Sequence, residues 1–164
     1  MLNRFENTKK NHSWPENEKR GGEKYIPPKG WEKYGLIVYN KFDNKNNDWI
    51  MSDNRPGEWC VGYCGFTGIT KRMSQQYDVD NDFKHNGKKV GVGVYCYNDP
   101  NEMEENTEII NTSVGDYKIG FMARVKPDKI RNPESNKGIW VVDGNDNVIR
   151  PYGILIKKIN NVKK

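Results

Sequence analysis

No run in this 164-residue sequence approaches the ~18 consecutive apolar residues that cross a bilayer. The polar, acid-containing opening "MLNRFENTKKNHSWPENEKRGG" lacks the apolar middle of a secretory signal. An intracellular protein with no membrane partner, cytoplasmic or nuclear, is the expectation. Cysteine is scarce and odd in number: three thiols make no disulfide framework, and Cys60 and Cys64 on one extended strand sit too far apart to bridge, which suits a reducing compartment. Histidine is scarcer still. His12 and His85 stand apart from any cysteine at metal-ligand spacing, so no zinc site is expected. Apolar residues amount to 34% and mean hydropathy is -1.00, so long loops or unstructured ends must dilute whatever core exists. Charge of one sign is not concentrated either. The net +5 is scattered lysine that thickens only at "KKINNVKK", which fits a solvated surface, with nucleic-acid or anion affinity as the alternative.

What is present is aromatic. Phe, Trp and Tyr make up 12% of a very polar chain, which argues against general disorder. Residues 1–25 are rich in Asn, Glu and Lys, show no helical or strand period, and read as a flexible polar arm. The domain is expected over residues 26–164, beginning where Pro27 and Pro28 enforce an extended chain. Within it, short apolar stretches alternate with Gly, Asn, Asp and Pro clusters: "GLIVY", "WIM", "EWCVGY", "VGVGVYCY", "YKIGFMARV", "GIWVV" and "YGILIKKI" read as strands. Two helices are expected. One follows Gly65, with Ile69, Met73 and Tyr77 four apart; the other follows Asp99, a natural cap, with Pro100 at its first position and acids in its first half. The fold class is α+β, rich in β-strand, with few short helices.

The most informative segment is "GEWCVGYCGF". At period two, Trp59, Val61 and Tyr63 face one side, while Cys60, Gly62 and Cys64 leave the other nearly bare. A second strand, "GVGVYCY", puts Gly91, Gly93 and Tyr95 on one face. Side by side, the two bare faces make a trough in which a flat heteroaromatic ring lies against backbone and stacks on Tyr95. The alternative is that these glycines mark bulges or tight sheet packing. The bulky face, with Trp31, Trp49, Trp59 and Trp140, is expected to pack inward behind the sheet.

Taken in order, "KGWEKYGLIVYNKFDN", "GEWCVGYCG", "VGVGVYC", "YKIGFMARVKPDKI", "WVV" and "IRPYGILIK" resemble the ADP-ribosyltransferase-like domain of the poly(ADP-ribose) polymerase and diphtheria-toxin type, especially its small stand-alone eukaryotic members, over about Gly30 to Ile159. The resemblance implies a split sheet and NAD as substrate. It also implies Gly65 as the backbone clamp on the nicotinamide carboxamide and Tyr95 as the stacking ring. Two family positions are altered. The histidine that bonds the ribose falls on Cys64, and the late-strand glutamate falls on Tyr152, with Asn147 or Val148 there if the placement slips.

A thiol is a weak donor and shorter than imidazole. Tyr152 brings no charge at neutral pH, whereas a preorganised carboxylate beside a developing oxocarbenium ion is worth roughly 10² to 10³ in rate. The implied activity is weak mono-ADP-ribosyl transfer or none, with NAD or an ADP-ribose-like ligand bound. The alternative is a non-catalytic module that recruits nucleic acid or a protein.

Other chemistry-bearing residues have plainer readings. Cys64 at a strand-to-helix junction is a candidate nucleophile, yet no base is nearby in sequence, and a buried inert thiol is the competing reading for all three cysteines. Arg124 and Arg150 flank strands and suit either pyrophosphate or a neighbouring acid. Glu102, Glu104 and Glu105 suit a helix start.

Overall fold

A computed structural model describes residues 3–4, 17–66, 84–85, 88–89, 93–132, 138–143 and 145–160 of the chain. The main sheet has eight strands, all paired antiparallel. Its elements are β1 (Asn3–Arg4), β4 (Glu32–Gly35), β5 (Cys60–Gly65), β8 (Val94–Tyr97), β9 (Ile110–Thr112), β10 (Gly115–Val125), β11 (Ile139–Val142) and β12 (Ile149–Ile159). Across the sheet the order is β1-β4-β12-β10-β5-β8-β11, with β9 also on β10. Two small hairpins complete the strands: β2 (Lys19–Arg20) with β3 (Glu23–Lys24), and β6 (Lys84–His85) with β7 (Lys88–Lys89). Among the described residues there is one α-helix, α1 (Pro100–Glu105), and three short 3-10 turns. The architecture is the expected β-rich α+β class.

Local chemistry explains most boundaries. Asp99 caps α1 by accepting from the Asn101 N–H at 2.8 Å, and Pro100 starts the helix where no N–H is needed. Asp99→Ala is therefore expected to cost about 1 kcal/mol, read as a lower urea midpoint with an unchanged slope. Only Glu102 of the helix acids lies in the first turn; Glu104 is taken up by Lys157, whose ammonium sits 2.7 Å from both carboxylate oxygens. The expected helix after Gly65 falls on residues outside those described.

Two expected strands are shorter or absent. β4 ends at Gly35, leaving Leu36 to Tyr39 beyond the ladder, and "WIM" forms a 3-10 turn over Asp48–Ile50 instead of a strand. Trp49 is buried by that turn and meets Phe42 and Trp59 edge-on, at 5.5 and 6.0 Å between ring centroids. Aromatic packing decides the conformation where three residues are too few to carry a strand period.

The boundary drawn at residue 25 runs through packed structure. Asn3 and Arg4 pair with Gly35 and Tyr34. The β2–β3 hairpin lies on the start of β5, with Gly21 at φ +58, where a Cβ would stand 2.5 Å from the Cys60 nitrogen. Glycine is required there for both conformation and space.

β12 carries the sequence "IRPYGILIK". Met122 pairs with Gly153 and Ala123 with Pro151, so Tyr152 is the extra residue of a β-bulge. The bulge accommodates a proline within an eleven-residue strand and turns the backbone at Tyr152, whose carbonyl accepts from the Leu36 N–H at 2.9 Å.

Candidate functional site

Alternation along β5 is as the sequence implies, but the bare side is not open. Cys60 and Cys64 are fully buried with Cys96, Ala123, Val125 and Trp140. A Cβ on Gly62 would meet Cys96 Cβ at 3.0 Å, Val125 Cγ2 at 3.2 Å and Trp140 Cε3 at 3.5 Å. Small residues on β5 make room for the indole of Trp140 on β11. Trp140 therefore belongs to the opposite face from Trp31, which packs with Val61, Tyr63 and Tyr95, and the expected single layer of four tryptophans is corrected accordingly.

Gly93 has a similar explanation. It sits at φ +155, and a Cβ there would lie 2.7 Å from the Val142 carbonyl and 2.8 Å from Val141 Cγ1, so the glycine lets the β11 backbone approach. The expected trough beside Gly62, Cys64 and Gly93 is occupied by the protein's own groups. Gly91 lies outside the described residues.

The sheet nevertheless has a thin seam. β10 and β5 share six registered pairs, β11 and β8 share four, and β5 and β8 share one, Tyr63↔Tyr97. Tyr95 shares the cluster of Tyr63 and Tyr97, and the register of that one pair, carried two residues on, would set Gly65 opposite Tyr95. Gly65 is half-buried, and its missing side chain points at Thr107, whose Oγ1 would be 2.9 Å from a Cβ. Thr107 is held in turn by donating to the Met103 carbonyl at 2.5 Å. Thr107 is a residue that sequence reading missed: it follows α1 in a polar stretch with no period to mark it.

The proposed polar pair is not assembled at this point. Cys64 projects to the other face, into the core. Burial, followed by the Cys96 thiol beside it, pushes its thiol well above the ordinary value, so in the closed sheet it is neutral. Burial likewise raises the Cys60 thiol to about 12. Tyr152 packs between two core clusters beneath the Arg124 guanidinium, 5.2 Å from its ring centroid. Burial raises its phenol, and the arginine opposes that only in part. The alternative late positions supply no acid: Asn147 is exposed in a turn and Val148 is buried.

Both strand-end arginines are paired with acids. Arg150 bonds Asp43 in a fork at 2.7 and 2.8 Å, under the rings of Phe42, Trp49 and Trp59 at 4.3 to 4.9 Å. Its hydrogen bonds hold the Asp43 carboxyl below the usual range. Arg124 donates to Glu58 Oε1 at 3.1 Å and to the carbonyls of Trp59, Ile50 and Met51.

Arg20 reaches the same glutamate at 3.7 Å and stacks over Tyr25. Glu58 is the buried carboxylate of this region, yet it stands at the opposite end of β5 from Gly65 and is neutralised by arginine. It does not supply the late-strand carboxylate that the resemblance implies. Of the 27 Lys and Arg residues, four, Arg20, Arg124, Arg150 and Lys157, are thus committed to ion pairs within the fold. Among the described residues no group of three His, Cys, Asp or Glu is placed to hold a metal, and no helix is long and apolar enough to cross a membrane.

The described residues define a β-rich α+β domain whose antiparallel sheet is joined across its β5–β8 line by a single pair. Compared with protein families and with curated proteins, the chain matches no family model and no curated sequence.

Proposed function

We propose that the protein is an ADP-ribosyltransferase-like domain that engages NAD or an ADP-ribose-like ligand at Gly65 and Tyr95 without efficient transfer. The observation that supports this reading is the thin β5–β8 seam, whose single pair Tyr63↔Tyr97 lies two residues from each of them. A backbone clamp needs a residue without a side chain of its own, and Gly65 supplies one, with Thr107 against it. A stacking platform needs a ring fixed by its surroundings, and Tyr95 is held in the core cluster of that face.

The same geometry argues against turnover. The residue in the histidine position turns its thiol to the opposite face of the sheet from Tyr95, and the late-strand position carries a neutral phenol. Without a carboxylate facing the ribosyl cation, the transition state gains nothing that the ground state lacks.

Calorimetry with NAD, ADP-ribose and nicotinamide tests the reading. Binding is expected with Kd of ~0.1–1 mM, about -4 to -5.5 kcal/mol. Tyr95→Phe should retain the affinity, while Tyr95→Ala should weaken it at least about fivefold, by loss of stacking worth ~1 kcal/mol or more, provided circular dichroism shows both variants folded. Labelled NAD should leave no protein-bound label. Absence of heat with all three ligands overturns the site, and robust labelling abolished by Tyr95→Ala overturns the claim of silence.

A further inference from the structure

We infer that Cys64 and Cys96 are a dithiol/disulfide couple that staples the two parts of the sheet across the β5–β8 seam. The register of the Tyr63↔Tyr97 pair, carried one residue on in opposite senses along the two antiparallel strands, sets Cys64 toward Cys96. Both thiols are fully buried in one cluster, with Cys96 near enough to act on the Cys64 thiol. The Cys96 side chain leans onto β5, since a Cβ on Gly62 would lie 3.0 Å from its own. Directly opposed antiparallel positions hold their Cβ atoms ~4.5–5.5 Å apart, and a disulfide requires ~3.5–4.5 Å. The strands must close by about 1 Å, a shift that a seam of one registered pair resists less than a full ladder does.

The third thiol is excluded by its own geometry. Cys60 lies at the start of β5 and donates to the Gly21 carbonyl at 3.3 Å, beneath the β2–β3 hairpin. The couple is therefore selective for two of the three cysteines.

The chemistry is thiol–disulfide exchange with a low-molecular-weight disulfide such as oxidised glutathione. One protein thiolate attacks the glutathione disulfide, breaks its S–S bond and releases one reduced glutathione. The second thiolate then attacks the mixed disulfide, forms the Cys64–Cys96 bond and releases the second. Both protein protons end on the two glutathione thiols, and the two electrons given up by the protein sulfurs reduce one glutathione disulfide. In the closed seam the thiolate is scarce because burial disfavours charge, so exchange proceeds when the seam opens. The staple then holds it shut. None of this depends on the ligand reading.

The full-length protein is incubated with oxidised glutathione, then unfolded in the presence of an alkylating reagent and weighed. The expected mass shows loss of two hydrogens with one alkylated thiol, which peptide mapping assigns to Cys60. The melting temperature should rise on the order of 5–10 °C and return on reduction. Cys60→Ser should give the same mass loss and Cys96→Ser should give none, while the wild-type mapping stands even if Cys96→Ser fails to fold. Three alkylated thiols, a bridge to Cys60, a persistent glutathione adduct at Cys64 or Cys96, or an unchanged or lowered melting temperature in the bridged protein would each overturn the inference.

Discussion

Replacing Arg124 with Met is expected to destabilise the fold by ~3–5 kcal/mol, the cost of leaving a buried charge without its partner. The Glu58 side chain is completely enclosed and Arg124 almost so. With Arg124 gone, the carboxylate keeps only Arg20 at 3.7 Å, and the carbonyls of Trp59, Ile50 and Met51 lose the guanidinium that satisfies them together. Methionine preserves most of the volume, so the loss reads as electrostatics and hydrogen bonding instead of a cavity. The network also has positional consequences. The guanidinium lies over Tyr152, the bulged residue of β12, so its removal frees the ring that occupies the late-strand position.

Urea denaturation of the single variants Arg124→Met and Glu58→Gln and of the double variant closes a cycle. The two costs should be strongly non-additive, with the double variant less destabilised than the sum. An Arg124→Met cost below ~1 kcal/mol, or strict additivity, would mean that the carbonyls and the glutamate find other partners and that the network does not tie β10 to the chain preceding β5.

Periodicity revealed more of this molecule than composition did. The alternation over Trp59 to Cys64 is legible because the strand has side chains of contrasting size, and the structure keeps those faces as read. What fills the bare face was not legible. Trp140 arrives from β11, far along the chain, and nothing local to either strand says that an indole fits beside Gly62. Gly93 has the same limitation, because its need for space is created by the β11 backbone.

Cap chemistry at Asp99-Pro100 is local and was readable. The turn at Asp48–Ile50 is set by rings from Phe42 and Trp59 and was not. The arginine pairs lie between these extremes: a strand-end arginine with a nearby acid is a sound default, but which acid depends on the tertiary fold. Glu58 gave no signal, since a carboxylate before a strand ordinarily meets water, and its burial becomes sensible only when Arg124 and Arg20 converge on it. At the candidate site, the adjacency of β5 and β8 is a matter of strand order that the sequence does not show, whereas the direction of Cys64 follows from parity along β5 and could have been weighed against a ligand-facing role.

Removing residues 1–25 is expected to destabilise the protein by ~2–4 kcal/mol, well beyond what loss of a solvated arm would cost. The polar composition of this segment conceals how it is used. Gly21 presses its backbone against the Glu58–Cys60 segment, the Gly22 N–H donates to Asn54 Oδ1 at 2.8 Å, and the Tyr25 N–H donates to the Glu18 carbonyl at 2.8 Å. Arg20 contributes charge to buried Glu58, and Tyr25 packs against the cluster that contains Tyr63 and Tyr95.

Without the hairpin, Glu58 and Arg124 become a water-exposed pair worth ~0–1 kcal/mol, and the apolar body of Tyr25 no longer covers Tyr63. Burial that now holds the Tyr63 phenol far above its usual value would be relieved, so its titration should move down toward the ordinary range in the 26–164 fragment. A gentler variant, Gly21→Ala, should act in the same direction, because its Cβ meets the Cys60 nitrogen at 2.5 Å and its φ of +58 is strained for alanine. Denaturation midpoints and amide exchange at Glu58 to Cys60 in the three proteins decide the matter. Equal midpoints and unchanged protection would mean that the hairpin rests on the sheet without supporting it, and the packed domain would then begin near Ile26 as its composition suggests.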